Sequence, residues 1–216
     1  GALRAVAAPN MADADLPTVE LEPVGDGQPE PEAAMRDGRD SDISHSDVCT
    51  KYREAAKIAN LALEGLVAQA KPGVKVIDLC KFGDKVISQK CASIYQKKVK
   101  GKFVEKGIAF PTCVSVNECV CHNSPLESDA EQPKLAPGDM VKLDVGCYVD
   151  GYIAVAAHTV VIEESLPEAP LLMGQQADVL QAAYIASEVA TKLLLPGNTN
   201  SQVTEAIAKV AHAFGV

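Results

Sequence analysis

The chain has 216 residues, 47% of them hydrophobic, and a formal charge of −9. That length holds one sizeable domain or two small ones, and no apolar run approaches the roughly 18 residues of a membrane-spanning helix, which argues against membrane insertion and for a soluble protein. Seven cysteines, an odd number scattered among apolar residues, suggest reduced thiols in the cytosol or nucleus and not a disulfide framework.

The acidity belongs to one end. Residues 1–47 carry eleven acidic and three basic residues, −8 of the total, so the remaining 169 residues stand near −1. The ten residues before Met11 lack the apolar core of a secretory signal. Residues 1–46 are rich in Pro, Gly, Ala, Asp and Glu, with few large apolar side chains. Such a segment does not bury enough surface to offset its ordering entropy, and is expected to be a disordered extension. Order is expected from Asp47.

Tyr52, Ala55, Ala56, Ala59, Ala62, Leu63, Leu66, Val67 and Ala70 follow helical spacing and predict a helix over 48–70. Ser46 or Asp47 is the expected N-cap and Pro72-Gly73 the stop. A second helix is predicted over 76–92. A lysine-rich stretch follows: Lys97, Lys98, Lys100, Lys102 and Lys106, with Tyr95 and Phe103 nearby and Glu105 opposing. Such a cluster suits contact with phosphates through counterion release, and suits equally a solvated loop. A strand is predicted over 108–116, loop and edge structure over 117–132, and Pro137-Gly138 introduces the next element.

From Val141 to Thr159, two runs rich in Val, Ile and Tyr flank Asp150-Gly151. That dipeptide is a two-residue turn signal, so the segment reads as a β-hairpin. With those two residues as the loop, paired positions sum to 301. Asp144 then faces Ala157, and Val155 is its diagonal neighbour on the same face, roughly 7–8 Å away. Asp139 and His158 have the opposite parity, and Asp150 sits at the turn tip. A slip of one residue would invert these assignments. Taken alone, Asp144 suits a satisfied sheet carboxylate.

After Pro170 the pattern restarts. Ala182-Ala183-Tyr184-Ile185-Ala186 and Pro196-Gly197 echo Ala55-Ala56-Lys57-Ile58-Ala59 and Pro72-Gly73, and a helix over 202–214 follows. If this is a repeat, the chain contains one whole half and the opening helices of a second, which suggests a truncated chain. The boundaries expected are 1–46, 47–165 and 166–216. Cys113, Cys119, Cys121 and His122 lack zinc-finger spacing, and no phosphate-binding glycine pattern is present.

Several stretches carry a family resemblance: Lys106–Thr112, Ser115-Val116-Asn117, Val120-Cys121-His122, Ser124-Pro125-Leu126, Lys142–Asp144, Asp150-Gly151, Ala157-His158-Thr159, Pro196–Asn200 and Val203–Ala206. From Asp47 to Val216 the chain resembles the ErbB-binding, proliferation-associated protein family, a catalytically silent branch beside the type II methionine aminopeptidases. The resemblance implies an α/β (α+β) pita-bread aminopeptidase-like fold, here its first pseudo-symmetric half plus the opening helices of the second. It also implies that Val155 stands where active relatives carry their second bridging aspartate. A valine offers no oxygen to a divalent cation. Asp144, Val155 and His122 would then form a vestigial site with no catalytic residue, no metal and no cofactor. His122, aligned with a substrate-contacting histidine of the peptidases, would be retained for packing or hydrogen bonding. The other metal ligands, a histidine and two glutamates, and the family's lysine-rich C-terminal tail would lie beyond Val216.

The function so implied is non-catalytic: binding of RNA, ribonucleoprotein and rRNA of the large ribosomal subunit, in regulation of translation, ribosome biogenesis and growth. The cytoplasm, nucleus and nucleolus are the expected locations, with a signalling protein as a further partner. The rival is an active metal-dependent methionine aminopeptidase that removes initiator methionine. A purely protein-binding adaptor is the third reading.

Overall fold

The computed structural model describes residues 42–98, 101–163 and 172–216; the proposed extension therefore lies, but for residues 42–46, outside the described residues. The elements in chain order are α1 (Ser46–Gln69), α2 (Val76–Ser93), β1 (Lys106–Val116), β2 (Met140–Val149), β3 (Tyr152–Val161), α3 (Gln175–Leu193) and α4 (Asn200–Phe214). They fall into two compact units, one with α1, α2 and the three strands, the other with α3 and α4.

In the first unit the strands form an antiparallel sheet of order β1-β2-β3. Asp150 and Gly151 both adopt positive φ, 54° and 79°, as a tight hairpin turn of the mirror-image type requires. Val149 pairs with Tyr152 and Asp144 with Ala157, so the register is the one the turn dictates. Period-two alternation then sends Val141, Leu143, Val145, Cys147 and Val149 to one face, where all five are fully buried.

Both helices of this unit contribute to the core on that face. Ala55, Ile58, Ala59, Ala62 and Leu66 recur along α1 at helical spacing, and Val76, Leu79, Cys80, Ile87 and Cys91 along α2. Small residues set the approach distances. A Cβ at Gly65 would lie 2.9 Å from the Phe82 ring, and one at Gly83 would lie 2.5 Å from Thr112 Oγ1 and 2.7 Å from its Cγ2. Gly83 thus lets α2 come down onto β1, and Asp84 beside it accepts the Thr112 backbone N–H at 2.9 Å.

The expected N-cap of α1 is corrected. His45 occupies that position without a side-chain cap, and Ser46 and Asp47 lie in the first turn. Asp47 bonds the Lys51 ammonium at 2.7 Å, and Lys51 also bonds Asp150 at 2.6 Å. Lys51 lies over the Tyr152 ring at 5.5 Å, and Tyr152 meets Tyr52 edge-on at 5.2 Å. The start of α1 is thereby tied to the hairpin turn. Asp47 is recruited by this charge cluster in preference to capping its own helix. Burial works against the Lys51 charge, but the carboxylates of Asp150 and Asp47 outweigh it and hold the ammonium above the ordinary lysine range.

In the second unit α3 and α4 form a helical hairpin across Pro196-Gly197, with Ala182, Leu193, Ala206 and Val210 buried. Helix α4 begins earlier than its periodicity predicts. Thr199 and Gln202 exchange hydrogen bonds as a capping box, which adds the turn at 200–201. Among the described residues no helix is long and apolar enough to cross a membrane.

Gly83→Ala is expected to cost about 1–3 kcal/mol by overpacking. Adding Thr112→Ala removes the two atoms the new methyl group meets first and should restore most of that loss, because Thr112 Oγ1 has no hydrogen-bond partner to forfeit. Urea denaturation reads both variants, and a double variant no more stable than the single one refutes the contact. Lys51→Met should cost about 2 kcal/mol, less than a fully buried pair because Asp47 and Asp150 keep access to water. The folded ammonium holds its proton above the ordinary lysine value. Its contribution is therefore fully present below that value and is lost as pH rises through the folded one. A parent–variant gap in denaturation midpoint that opens only in strong alkali contradicts this assignment.

Candidate functional site

Asp144 lies in the middle of β2, the central strand. Its parity places it on the sheet face opposite the helical core, with Cys113 across from it on β1 and Ala157 across on β3. The carboxylate is partly exposed, and His122 Nδ1 lies 3.8 Å from Asp144 Oδ2. That separation is an ionic contact when the imidazole is protonated, and is too long for a hydrogen bond. His122 is 73% exposed at its side chain.

The loop between β1 and β2 delivers His122. Asn117 turns the chain with φ of 52°, accepts the Met140 N–H at 2.9 Å through Oδ1, and donates through Nδ2 to Asp139 at 2.8 Å. Asn123 accepts the Val114 N–H at 2.8 Å on its backbone carbonyl and donates from Nδ2 to the Val114 carbonyl at 2.9 Å. These bonds strap the loop along β1. His122, at φ 60°, sits one residue before the strap. A non-glycine residue in that region is uncommon, and held here it fixes where the imidazole emerges.

Beside Asp144 this face carries hydrocarbon toward the turn and Lys142 paired with Thr159 on the other side. Val155 pairs with Gly146, diagonal to Asp144, and is 65% exposed. The Phe110 ring lies over Gly146, where a Cβ would approach it to 2.5 Å. Burial, then the neighbouring Asp144 carboxylate, push the Cys113 thiol above its ordinary value, so Cys113 faces Asp144 as a neutral thiol. A bridged pair of divalent ions needs several oxygen or imidazole donors converging within a few ångströms. Asp144 and His122 are the donors present, Val155 supplies hydrocarbon, and among the described residues no group of three or more His, Cys, Asp or Glu side chains converges. The described residues do not fit that metal pair.

His158 is exposed and has the parity of the opposite face, pairing with Leu143. Asp139 accepts the Ala136 N–H in the turn before β2, and Asp150 is held by Lys51.

The basic cluster lies elsewhere. Lys97, Lys98 and Lys102 are exposed, and Lys98 Nζ stands 5.4 Å from the centre of the Phe103 ring, itself 63% exposed. Lys106 opens β1, half-buried, its ammonium donating to the Val104 carbonyl at 3.2 Å. Lys100 lies outside the described residues. Lys106 pairs with Val149 at the turn end of β2, five residues from Asp144. The lysine segment and Asp144 are therefore separate places, roughly 17 Å apart along the strand.

Cys113 and Phe110 completed this face without being foreseen as part of it. Gly146 was the available signal for Phe110, since a glycine inside a strand often marks a close approach. Nothing local pointed to Cys113, because bulges in β1 at 108–113 decide which of its residues meets Asp144.

The metallopeptidase family M24 matches residues 50–216. ERBB-3 binding protein 1 of Arabidopsis thaliana is 46% identical over 179 residues, 83% of this chain and 43% of its own. Proliferation-associated protein A of Dictyostelium discoideum is 42% identical over 175 residues, 81% of this chain and 44% of its own. Among solved structures, a thermophilic Arx1 superposes with a TM-score of 0.62 at 30% identity, over 79% of this chain and 48% of its own. The expected resemblance and the pita-bread fold are both found. The chain spans less than half the length of the curated relatives it matches.

Val155→Asp sets a second carboxylate diagonal to Asp144. Calorimetric titration with Mn²⁺ should show association tightened by roughly tenfold or more over the parent, the scale on which changes around a metal act. Equal, weak binding by both chains would mean that position 155 is not the missing donor.

Proposed function

The chain belongs to the M24 metallopeptidase family, and we propose that it uses the family's fold to bind and not to cleave. The observation that carries this reading is Val155, a hydrocarbon side chain diagonal to Asp144 where a bridging carboxylate would have to stand. With no oxygen donor there, the hairpin does not assemble a metal pair that lowers the pKa of a bound water.

The binding partner proposed is RNA, above all rRNA of the large ribosomal subunit, in regulation of translation and growth. Lys97, Lys98 and Lys102 reach solvent, and Phe103 offers an exposed ring beside Lys98. Ammonium groups that displace counterions from phosphates, next to a ring on which a base stacks, are the usual elements of sequence-tolerant RNA contact. Such a role would take the protein to the cytoplasm, nucleus and nucleolus. A second reading is a signalling-protein partner, favoured by the name of the Arabidopsis relative, which ties that protein to ERBB-3.

Two assays separate these readings. Reversing Lys97, Lys98, Lys102 and Lys106 to Glu should weaken rRNA binding and flatten the log K against log salt slope by about 3, at roughly 0.7 per phosphate contact on single strands. An unchanged slope would falsify the lysine assignment. The intact protein loaded with Co²⁺ or Mn²⁺ should release no methionine from a Met-peptide, and steady turnover would restore the aminopeptidase reading.

A further inference from the structure

Two cysteines outside the site already described lie against each other in the core of the first unit. Cys91 is in the last turn of α2 and Cys147 is on the core face of β2, and both are buried. Their sulfurs are 3.6 Å apart, across 56 residues of sequence. We propose that Cys91 and Cys147 are a reversible oxidation site, closing under peroxide to an intramolecular disulfide that ties the end of α2 to the sheet.

A disulfide requires sulfurs at about 2.05 Å, so the 3.6 Å pair must close by roughly 1.5 Å. The two thiols are also unequal. Either thiol can donate across the 3.6 Å contact; a hydrogen bond to Cys91 favours its thiolate, burial opposes it, and the Lys106 ammonium favours it again, with the net direction downward. The contact with Cys91, then burial, push the Cys147 thiol above the ordinary thiol range. Cys91, in the last turn of a helix, is the nucleophile, and Cys147, in the central strand, is the resolving thiol.

Access comes through the helix end. Helix α2 stops at Ser93; the Ile94 N–H reaches the Cys91 carbonyl at a long 3.4 Å, while Ser93 Oγ and Gln96 Nε2 donate to the Lys90 and Ala92 carbonyls on either side of it. Last helical turns open at little cost, whereas the central strand that holds Cys147 does not. The Cys91 thiolate attacks hydrogen peroxide: an S–O bond forms, the O–O bond breaks, and hydroxide leaves and takes a proton. The Cys147 sulfur then attacks the sulfenic sulfur of Cys91. The S–S bond forms, the S–O bond breaks, and the departing hydroxyl takes the Cys147 proton as water. Two thiols lose two electrons and two protons, and one peroxide becomes two waters. The tie pins the turn from which the segment bearing Lys97 and Lys98 departs, but the inference stands independently of the RNA reading.

The test uses the folded full chain, treated with hydrogen peroxide, blocked with iodoacetamide and digested without reductant. The expected result is loss of alkylation at both cysteines and a peptide linking Cys91 to Cys147, abolished by dithiothreitol. In Cys147→Ser, dimedone should label Cys91 in place of the cross-link. Diamide, which oxidises dithiols without a sulfenic acid, should give the same linkage in the parent chain. Retention of both free thiols under both oxidants, at doses that consume the exposed Cys121, would overturn the proposal. So would a linkage that forms only after the chain is unfolded.

Discussion

The turn at Asp150-Gly151 decides which face of the sheet every residue of β2 and β3 occupies. A two-residue loop leaves one register, and a strand's side-chain period is two. Sliding that register by one would carry Val141, Leu143, Val145, Cys147 and Val149 out of the core and send Asp144 into it without a partner. The turn is held at a distance as well. Lys51 bridges Asp47 and Asp150 from the first turns of α1, so the helix that covers the sheet also grips the loop that sets its register. A buried cation missing one of its carboxylates is costly, and this makes the arrangement a device for specificity as much as for stability.

With the core committed to one face, the other face is free to vary. Asp144, His122, Cys113, Val155 and Phe110 lie there without contributing to the packing of α1 and α2. Exchanging a carboxylate for a valine at position 155 therefore changes the chemistry of the face without disturbing the core. A fold can keep its core while the residues of such a face change. The fully buried alternation of β2 is untouched by that exchange.

The positions open to partners and reagents gather at ends of elements. The lysine segment joins α2 to β1, and His122 projects from the β1–β2 loop. Loops and helix ends leave backbone and side chains accessible where strands do not. The thiol pair joins both regimes, one buried member in the last turn of a helix and the other in the central strand.

The sequence by itself determined what local periodicity carries. The two helices of the first unit, the hairpin and its register, the parity of Asp144, Val155 and His158, and the Pro-Gly breaks are all legible there, because each depends on a few neighbouring residues. Where a side-chain exchange overrode a local preference, the reading failed: Asp47 left its capping role for Lys51, and Thr199 with Gln202 started α4 early. Only the tertiary structure brought Lys51 to Asp150 across 99 residues, Cys91 to Cys147 across 56, and His122 to Asp144 through the strapped loop. Those meetings follow from how α1, α2 and the loop dock on the sheet, and docking is fixed by the whole core and its small residues at Gly65 and Gly83, which no single stretch of sequence encodes.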